Sequence, residues 1–140
     1  MTGERHDRWK AKDKFLDEAW KFLNAALAEF EKGVKEGRDE TIRDAGEKAW
    51  NATIQATTAL LLAKGFNEED IKTYRQKRMT LEELSTKDYQ VRQMDLRDKF
   101  MAREYTLHIR CFYDGEYTIE AIREELEKAK QYIDNVAKMV

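Results

Sequence analysis

The stretch TIRDAGEKAWNATIQATTALLLAK, residues 41–64, decides the fold because it carries apolar residues on two sides of one predicted helix. Small residues, mostly alanine, form one stripe, and larger residues beginning with Trp50 and Ile54 form the other. Small side chains let the backbone of a neighbouring helix approach closely. A helix with two apolar sides is either central in a bundle or shared between its own core and a second subunit.

Three further amphipathic helices are predicted around this one. The first runs from about Glu4 to Glu36, the third covers roughly Asp88 to Asp114, and the last begins at Thr118. Apolar residues recur in them at the spacing of one helical face. Gly37 and Gly115 are predicted to end the first and third helices, because glycine readily adopts the left-handed backbone of a helix C-terminus. The stripe of the first helix consists of Trp9, Leu16, Trp20, Leu23, Leu27, Phe30 and Val34.

The segment between the second and third long helices is short and basic. Gly65 forms a helix stop, and residues 68–77 suit one or two helical turns. Thr80 and Glu83 have the spacing of a capping box, which predicts that a helix begins there. The sequence therefore predicts an all-α fold, an antiparallel, up-and-down four-helix bundle with a short extra helical segment between the second and third long helices. The length favours a single domain over residues 1–140.

Composition narrows the classes of function. Lys and Arg total 26 and Asp and Glu total 28, so the net charge of -2 argues against a general affinity for nucleic acid. Any such binding needs a local basic patch. The one cysteine, Cys111, cannot form a disulfide within the chain, which fits a reducing compartment. No run approaches the roughly 20 apolar residues that span a bilayer, so a cytoplasmic protein that does not enter membranes is expected.

The residues most able to do chemistry lie in AREYTLHIRCFYDGEYT, residues 102–118. On an α-helix, the spacing of Arg103 and His108 leaves their side chains roughly 140° apart around the axis and about 7.5 Å apart along it. They do not share a face. A second copy of the molecule, related by a twofold axis, could nevertheless bring two such pairs to one groove.

An arginine and a histidine together suit the metal-independent cleavage of RNA. His108 would act as base for the ribose 2′-hydroxyl or as acid for the leaving oxygen, and Arg103 would stabilise charge on the phosphate. Glu104, one turn before His108, could orient the imidazole. The alternative is structural, with His108 packed in the bundle and Arg103 reaching solvent or pairing with Asp98 or an acid of another helix. A metal site is not expected, because His6 and His108 are the only histidines and form no metal-binding helical motif.

Residues suited to holding a nucleic-acid strand lie in the same segment and in the basic stretch before the third helix. Tyr113 could stack on a base, and Arg110, Lys72 and Arg75 could contact phosphates. Each also has an ordinary explanation. A tyrosine at a helix end often covers a core, and a run of basic residues is often a solvated surface.

Two stretches resemble the archaeal PaREP-type proteins. They are DAGEKAWNATIQATTALLLAKG, residues 44–65, and LHIRCFYDGEYTIEAIREELEKAKQYI, residues 107–133. In that pattern an alanine-rich helix with a Glu-Lys start is followed by a Leu-His turn, an aromatic pair and a final amphipathic helix. The likeness extends from about Phe15 to Val136. These proteins in turn resemble the wider HEPN superfamily of all-helical bundles.

The resemblance implies a homodimer. In many branches of the superfamily such a dimer cleaves RNA without a metal or other cofactor. The nuclease branches carry an Arg, a few residues, and then a His, with a polar residue directly after the Arg. Arg103, Glu104 and His108 match that order. The function expected is therefore that of a metal-independent endoribonuclease or RNA-binding protein. The alternative is a non-catalytic module that binds a nucleotide or a protein, such as a nucleotidyltransferase, with His108 structural.

Overall fold

The computed structural model describes the backbone of residues 2–140 and the side chains of residues 11–140, and each regular element in that part of the chain is helical. The predicted all-α fold is confirmed. Trp9 and His6 lie outside the described side chains. A 3-10 turn precedes the third α-helix, and a π-helix continues directly from the fifth. The elements are α1 (Thr2–Glu36), α2 (Asp39–Ala63), the 3-10 turn (Glu68–Ile71), α3 (Tyr74–Lys87), α4 (Tyr89–Gln93), α5 (Leu96–Arg103), the π-helix (Glu104–Tyr113) and α6 (Ile119–Ala137).

A tight connection joins α1 and α2 into a packed pair. Gly37 has a φ of +63°, a conformation that glycine adopts without steric cost, and the predicted helix end there is confirmed. The N–H of Arg38 donates to the carbonyl of Gly33 at 2.9 Å and closes the end of α1. A Cβ on Gly33 would lie 2.9 Å from Cγ1 of Ile42, so this glycine lets the two helices meet closely.

The second half of α2 is buried on every side. Between Ala52 and Leu62, Gln55 is the one residue that is not buried. The helix packs against α1, α6 and the π-helix, and its alanines allow their close approach. Of the two alternatives for this helix, the structure therefore shows the first, a helix central in its own bundle.

The helix α3 begins earlier than the sequence predicted. The hydroxyl oxygen of Thr73 accepts a hydrogen bond from the N–H of Gln76, and the Gln76 side chain accepts one from the N–H of Thr73, each at 3.0 Å. This is a capping box with glutamine in the place of glutamate. The predicted start at Thr80 is wrong, because Thr80 lies inside α3. The buried Lys77 then ties α3 to the preceding 3-10 turn, since its Nζ donates to the carbonyl of Ile71 at 2.6 Å.

The third predicted long helix is helical but not continuous. Asp88 ends α3 and caps α4, where its carboxylate accepts a hydrogen bond from the N–H of Val91 at 3.1 Å. Nζ of Lys64 lies 2.8 Å from the same carboxylate, and this hydrogen bond is the main reason that the Asp88 pKa is lowered. Asp95, which has a φ of +51°, interrupts the helix a second time, directly before α5.

The π-helix was not predicted from the sequence. Its characteristic hydrogen bonds span five residues, as between the N–H of Asp114 and the carbonyl of Ile109 at 2.9 Å. Its buried residues are Leu107 and Cys111. Gly115, with a φ of +63°, ends it as predicted. Segments of this kind are rare and often lie at functional sites.

The last helix, α6, completes the bundle. The Thr118 side chain accepts a hydrogen bond from the N–H of Ala121 at 3.0 Å, so the predicted start at Thr118 is confirmed. Tyr132 is fully buried, and its hydroxyl shares a 2.6 Å hydrogen bond with the hydroxyl of Thr57 on α2. None of the helices in the described part of the chain combines the length and the apolar character needed to cross a membrane.

Candidate functional site

The candidate site forms where α2 and the π-helix approach closely. A Cβ on Gly46 would lie 2.9 Å from Sγ of Cys111 and 3.5 Å from the carbonyl oxygen of Leu107. A glycine is therefore needed for the two backbones to pack at this distance. The next residue on each helix, Glu47 and His108, is brought into contact as a result.

Glu47 holds the imidazole of His108 by one nitrogen. Nδ1 of His108 lies 2.9 and 3.0 Å from the two carboxylate oxygens of Glu47. The side chains are only 15% and 19% exposed, so water screens the contact in part. Burial raises the pKa of Glu47 above its ordinary value, while the hydrogen bond and charge of His108 lower it. A histidine held in this way has a fixed ring orientation, and in the neutral ring Nδ1–H donates to the carboxylate.

The second ring nitrogen of His108, Nε2, forms no hydrogen bond with residues 11–140. When Nδ1 carries the proton, Nε2 of the neutral ring holds the lone pair that can accept one. His108 and Glu47 together therefore provide the groups that a general base needs. Glu47 orients the ring and would stabilise the imidazolium that forms on proton transfer.

Four aromatic rings surround this imidazole. Trp50 is fully buried, whereas Tyr113 is 62% exposed, so the rings extend from the core to the surface. Burial raises the pKa of the Tyr74 phenol, which therefore stays a neutral hydrogen-bonding group near neutral pH. We refer to Tyr74, Phe112 and Tyr113 as the aromatic rim. The distances from the imidazole centroid are 5.9 Å to Trp50, 5.4 Å to Tyr74, 6.4 Å to Phe112 and 4.8 Å to Tyr113.

Glu104 contacts a different partner from the one the sequence predicted. Its two carboxylate oxygens accept hydrogen bonds from Nη1 of Arg78 on α3, at 2.9 and 2.8 Å. The Glu104 side chain is 14% exposed, so this ion pair is partly buried and fastens α3 to the π-helix. In the structure it is Glu47, not Glu104, that contacts His108.

Arg103 lies on another side of the same helical rod. It is 5% exposed, and its Nε lies 2.8 Å from Oε2 of Glu125 on α6. The same carboxylate oxygen accepts a hydrogen bond from the hydroxyl of Thr106 at 2.8 Å. This is the arrangement expected if the arginine pairs with an acid of another helix. Within one chain, Arg103 contacts α6 and His108 contacts α2, so the structure does not bring them to a common site.

One of the residues predicted to hold nucleic acid, Tyr113, contacts His108 and belongs to the aromatic rim. Lys72 and Arg75 are exposed at the start of α3, on either side of Tyr74 in the sequence. Tyr74 contacts His108, whereas Lys72 lines a separate groove with Phe15, Ile54 and Thr58.

Arg43 of α2 holds the end of the π-helix. Its Nε donates to the carbonyl of Phe112 at 3.0 Å, and its Nη2 donates to the carbonyls of Phe112 and Tyr113 at 2.7 and 2.8 Å. These bonds fix the backbone that carries two residues of the aromatic rim. Arg110, also predicted to contact phosphate, is 39% exposed and already pairs with Glu116 at 3.1 Å.

The sequence reasoning missed Glu47 and Tyr74. Glu47 lies 61 residues from His108, and periodicity within one helix cannot relate residues on different helices. The available signal was its position directly after Gly46, because a glycine inside a helical pattern often marks a close helix contact. No comparable signal marked Tyr74, since the start of α3 was placed too late.

Comparison with known proteins links the chain to one family. The model of the archaeal PaREP1/PaREP8 family matches residues 14–133, a range that includes Glu47, His108 and the aromatic rim. No curated protein and no solved structure matches the chain. Among residues 11–140, no three side chains of His, Cys, Asp or Glu converge as the ligands of a metal ion would. The chemistry of the site must therefore be inferred from its own geometry.

Proposed function

The chain belongs to the archaeal PaREP1/PaREP8 family, and from this premise and the geometry around His108 we propose that it binds RNA and cleaves it without a metal ion. The observation that carries the proposal is the 2.9 Å contact between Nδ1 of His108 and the Glu47 carboxylate. An oriented imidazole is what removal of the proton from a ribose 2′-hydroxyl requires. The 2′-hydroxyl is also the group that distinguishes RNA from DNA.

The proposed reaction transfers a proton to Nε2 of His108. As the 2′-oxygen loses that proton, it bonds to the adjacent phosphorus, and the bond from phosphorus to the 5′-oxygen of the next nucleotide breaks. The products are a cyclic phosphate and, once the leaving oxygen takes a proton from water, a 5′-hydroxyl. Glu47 stabilises the imidazolium that forms. A side chain accepts the proton, so this step does not call for a metal-bound hydroxide.

The surface around His108 supplies groups that suit a single-stranded RNA. The exposed ring of Tyr113 offers a stacking surface for a base, which is worth about 1–3 kcal/mol per base in single-strand recognition. Lys72 and Arg75 add positive charge at the start of α3. Arg78 is one turn further along α3, but its charge is engaged by Glu104. The proposal therefore assigns phosphate binding to Lys72 and Arg75.

A homodimer is part of the proposal, and an exposed apolar row supports it. Met101, Tyr105 and Ile109 recur every four residues along α5 and the π-helix, and they are 43%, 56% and 39% exposed. Exposed apolar side chains in a row favour contact with another molecule. A second copy bound there would place its own His108 site beside the first.

The dimer can be tested by sedimentation. Tyr105→Glu should convert a dimer to a monomer, because it places a charge within the apolar row. Tyr89→Glu is the matched control, since Tyr89 is 68% exposed on α4 and lies outside that row. A monomeric parent protein at micromolar concentration, or equal loss of the dimer in both variants, would count against this interface.

The cleavage proposal is tested with total RNA and EDTA, resolved on a gel. His108→Ala should reduce the rate by about 10²–10⁴-fold, the usual contribution of a general acid or base, and Glu47→Gln should reduce it as well. His6→Ala is the matched control, because His6 is the only other histidine in the chain. Circular dichroism verifies that each variant keeps its helices. Equal cleavage by the parent and by His108→Ala would remove His108 from the mechanism.

A second candidate function is that of a non-catalytic module that binds a nucleotide or a protein, for example a nucleotidyltransferase. The position of Arg103 favours it, because Arg103 contacts Glu125 on α6 while His108 contacts α2, so Arg103 does not share a site with His108. His108 would in that case be structural, held by Glu47 and the surrounding rings. Fluorescence anisotropy with labelled RNA separates the two functions. A parent protein that neither binds nor cleaves RNA supports the module, whereas one that binds RNA but leaves it intact retains only the RNA-binding part of the first proposal.

A further inference from the structure

We propose that a groove between α5 and α6 binds a small phosphate monoester that carries hydroxyl groups, a sugar phosphate or a mononucleotide, at a site separate from His108. The groove has a volume of about 390 Å³, within the range of small-molecule sites. We refer to it as the α5–α6 groove. Its polar lining consists of Asp95, Asp98, Lys99, Arg103, Lys128 and Gln131.

Arg103 is the residue that points to an anionic ligand. It is 5% exposed and lines the groove, and its Nε is held by Glu125 at 2.8 Å. Its Nη1 and Nη2 form no hydrogen bond with any residue in the described part of the chain. Nη1 and Nη2 are not among the buried atoms that lack a partner, so they are open to the groove and a ligand that accepts from both can reach them. A phosphate presents two oxygens in the geometry of this fork.

Two lysines add positive charge to the groove. Lys99 lines the groove and forms no ion pair with residues 11–140. Lys128 lies 3.7 Å from Glu125. Lys128 also lies 4.0 Å from Glu124, so the three cations face two carboxylates, Glu124 and Glu125. The remaining positive charge suits an anionic ligand such as a phosphate monoester.

Two carboxylates give one end of the groove a negative charge. Asp95 and Asp98 stand at the start of α5, and Asp95 is about 12 Å from Arg103 along a helix axis at 1.5 Å per residue. Asp98 is 73% exposed and lies 4.0 Å from Arg97, so it remains open to solvent. Carboxylates accept hydrogen bonds from hydroxyl groups and repel further phosphates. The acidic end therefore selects a hydroxylated monoester over a polyphosphate.

This site does not depend on the function proposed for His108. Arg103 contacts α6, while His108 contacts α2. Ligand binding in the α5–α6 groove can therefore be measured independently of RNA cleavage.

The test is isothermal titration calorimetry on the full chain with four probes: AMP, ribose 5-phosphate, adenosine and ATP. AMP and ribose 5-phosphate should bind, ATP should bind more weakly, and adenosine should give no heat of binding. Lys99→Ala and Lys128→Ala should each weaken AMP binding by about tenfold or more, the effect of losing one charge-assisted hydrogen bond. Lys130→Ala is the matched control, because Lys130 is exposed on α6 and does not line the groove.

Arg103→Lys and His108→Ala complete the set of variants. Arg103→Lys keeps a cation beside Glu125 but lacks the fork, so the folded variant should also lose AMP affinity. His108→Ala should bind AMP as the parent does. The proposal is overturned if a folded parent binds none of the phosphate probes, if Lys130→Ala loses as much affinity as Lys99→Ala, or if ATP binds more tightly than AMP.

Discussion

Replacing Gly46 by alanine tests the close approach of α2 and the π-helix on which the His108 site depends. The added Cβ would lie 2.9 Å from Sγ of Cys111, 3.4 Å from its Cβ and 3.5 Å from the carbonyl oxygen of Leu107. The first distance is too short for an unchanged structure. Cys111 is fully buried, so its sulfur has no open space to move into and the two helices must separate.

The expected cost follows from two opposing effects. Overpacking a core by one methyl group usually costs about 1–3 kcal/mol, and alanine recovers about 1 kcal/mol over glycine inside a helix. The free energy of unfolding should therefore fall by roughly 1 kcal/mol in Gly46→Ala. Cys111→Ala removes the sulfur, so in that background the same change should be neutral or stabilising by up to about 1 kcal/mol. The coupling between the two sites is then about 1–2 kcal/mol, within the usual range for residues in contact.

Urea unfolding followed by circular dichroism measures all four proteins of this cycle. The separation of the helices should also lengthen the contact between Glu47 and His108, so cleavage of RNA should weaken in Gly46→Ala and recover in the double variant. A Gly46→Ala protein more stable than the parent, with Cys111 intact, would refute the packing argument. Additive effects of the two substitutions would refute it as well.

Three further perturbations test other parts of the fold by urea unfolding. Leu60→Asp should cost more than about 4 kcal/mol, because it places an unpaired charge in the centre of the bundle; an unchanged midpoint would contradict the central position of α2. Arg43→Ala should lower the free energy of unfolding by about 1–3 kcal/mol, because the carbonyls of Phe112 and Tyr113 lose a charged donor. Amide exchange at the end of the π-helix should also become faster. Unchanged exchange there would show that these bonds do not hold the segment. Burial raises the pKa of Cys111 from 9.0 to about 12, so the folded state holds that proton more tightly and stability should decline as the pH rises from 9.0 to about 12. Cys111→Ala should lack this part of the decline, and an identical alkaline profile in the parent and the variant would rule it out.

The parts of the fold that follow from local sequence were predictable. The last helix has a threonine cap at Thr118 and a buried stripe at regular spacing, and the structure contains both. The alanine-rich stripe of α2 predicted a helix with two buried sides, and the structure buries every residue from Ala52 to Leu62 except Gln55. The helix ends at Gly37 and Gly115 were predictable because both positions have a positive φ, and glycine is the residue type that adopts this conformation most readily.

The parts that depend on contacts between helices were not predictable from spacing. The sequence motif paired His108 with Glu104, one turn away, but Arg78 from α3 engages Glu104, and Glu47 from α2 contacts His108 instead. The start of α3 was misplaced because two capping boxes lie close together in the sequence, one at Thr73 with Gln76, which forms, and one at Thr80 with Glu83, which lies inside the helix. The π-helix has the composition of an α-helix, so only its backbone hydrogen bonds identify it.

The winding of residues 104–113 has a consequence for how relatives of this protein should be aligned. A π-helix accommodates more residues per turn than an α-helix, because each hydrogen bond closes a loop one residue longer. A homologue with one residue fewer in this stretch could keep Leu107 and Cys111 against α2 by winding the same turn as an ordinary α-helix. We therefore expect single-residue gaps to fall between Glu104 and Tyr113 in the family. The spacing of its arginine and histidine would then vary while the surrounding fold stays the same.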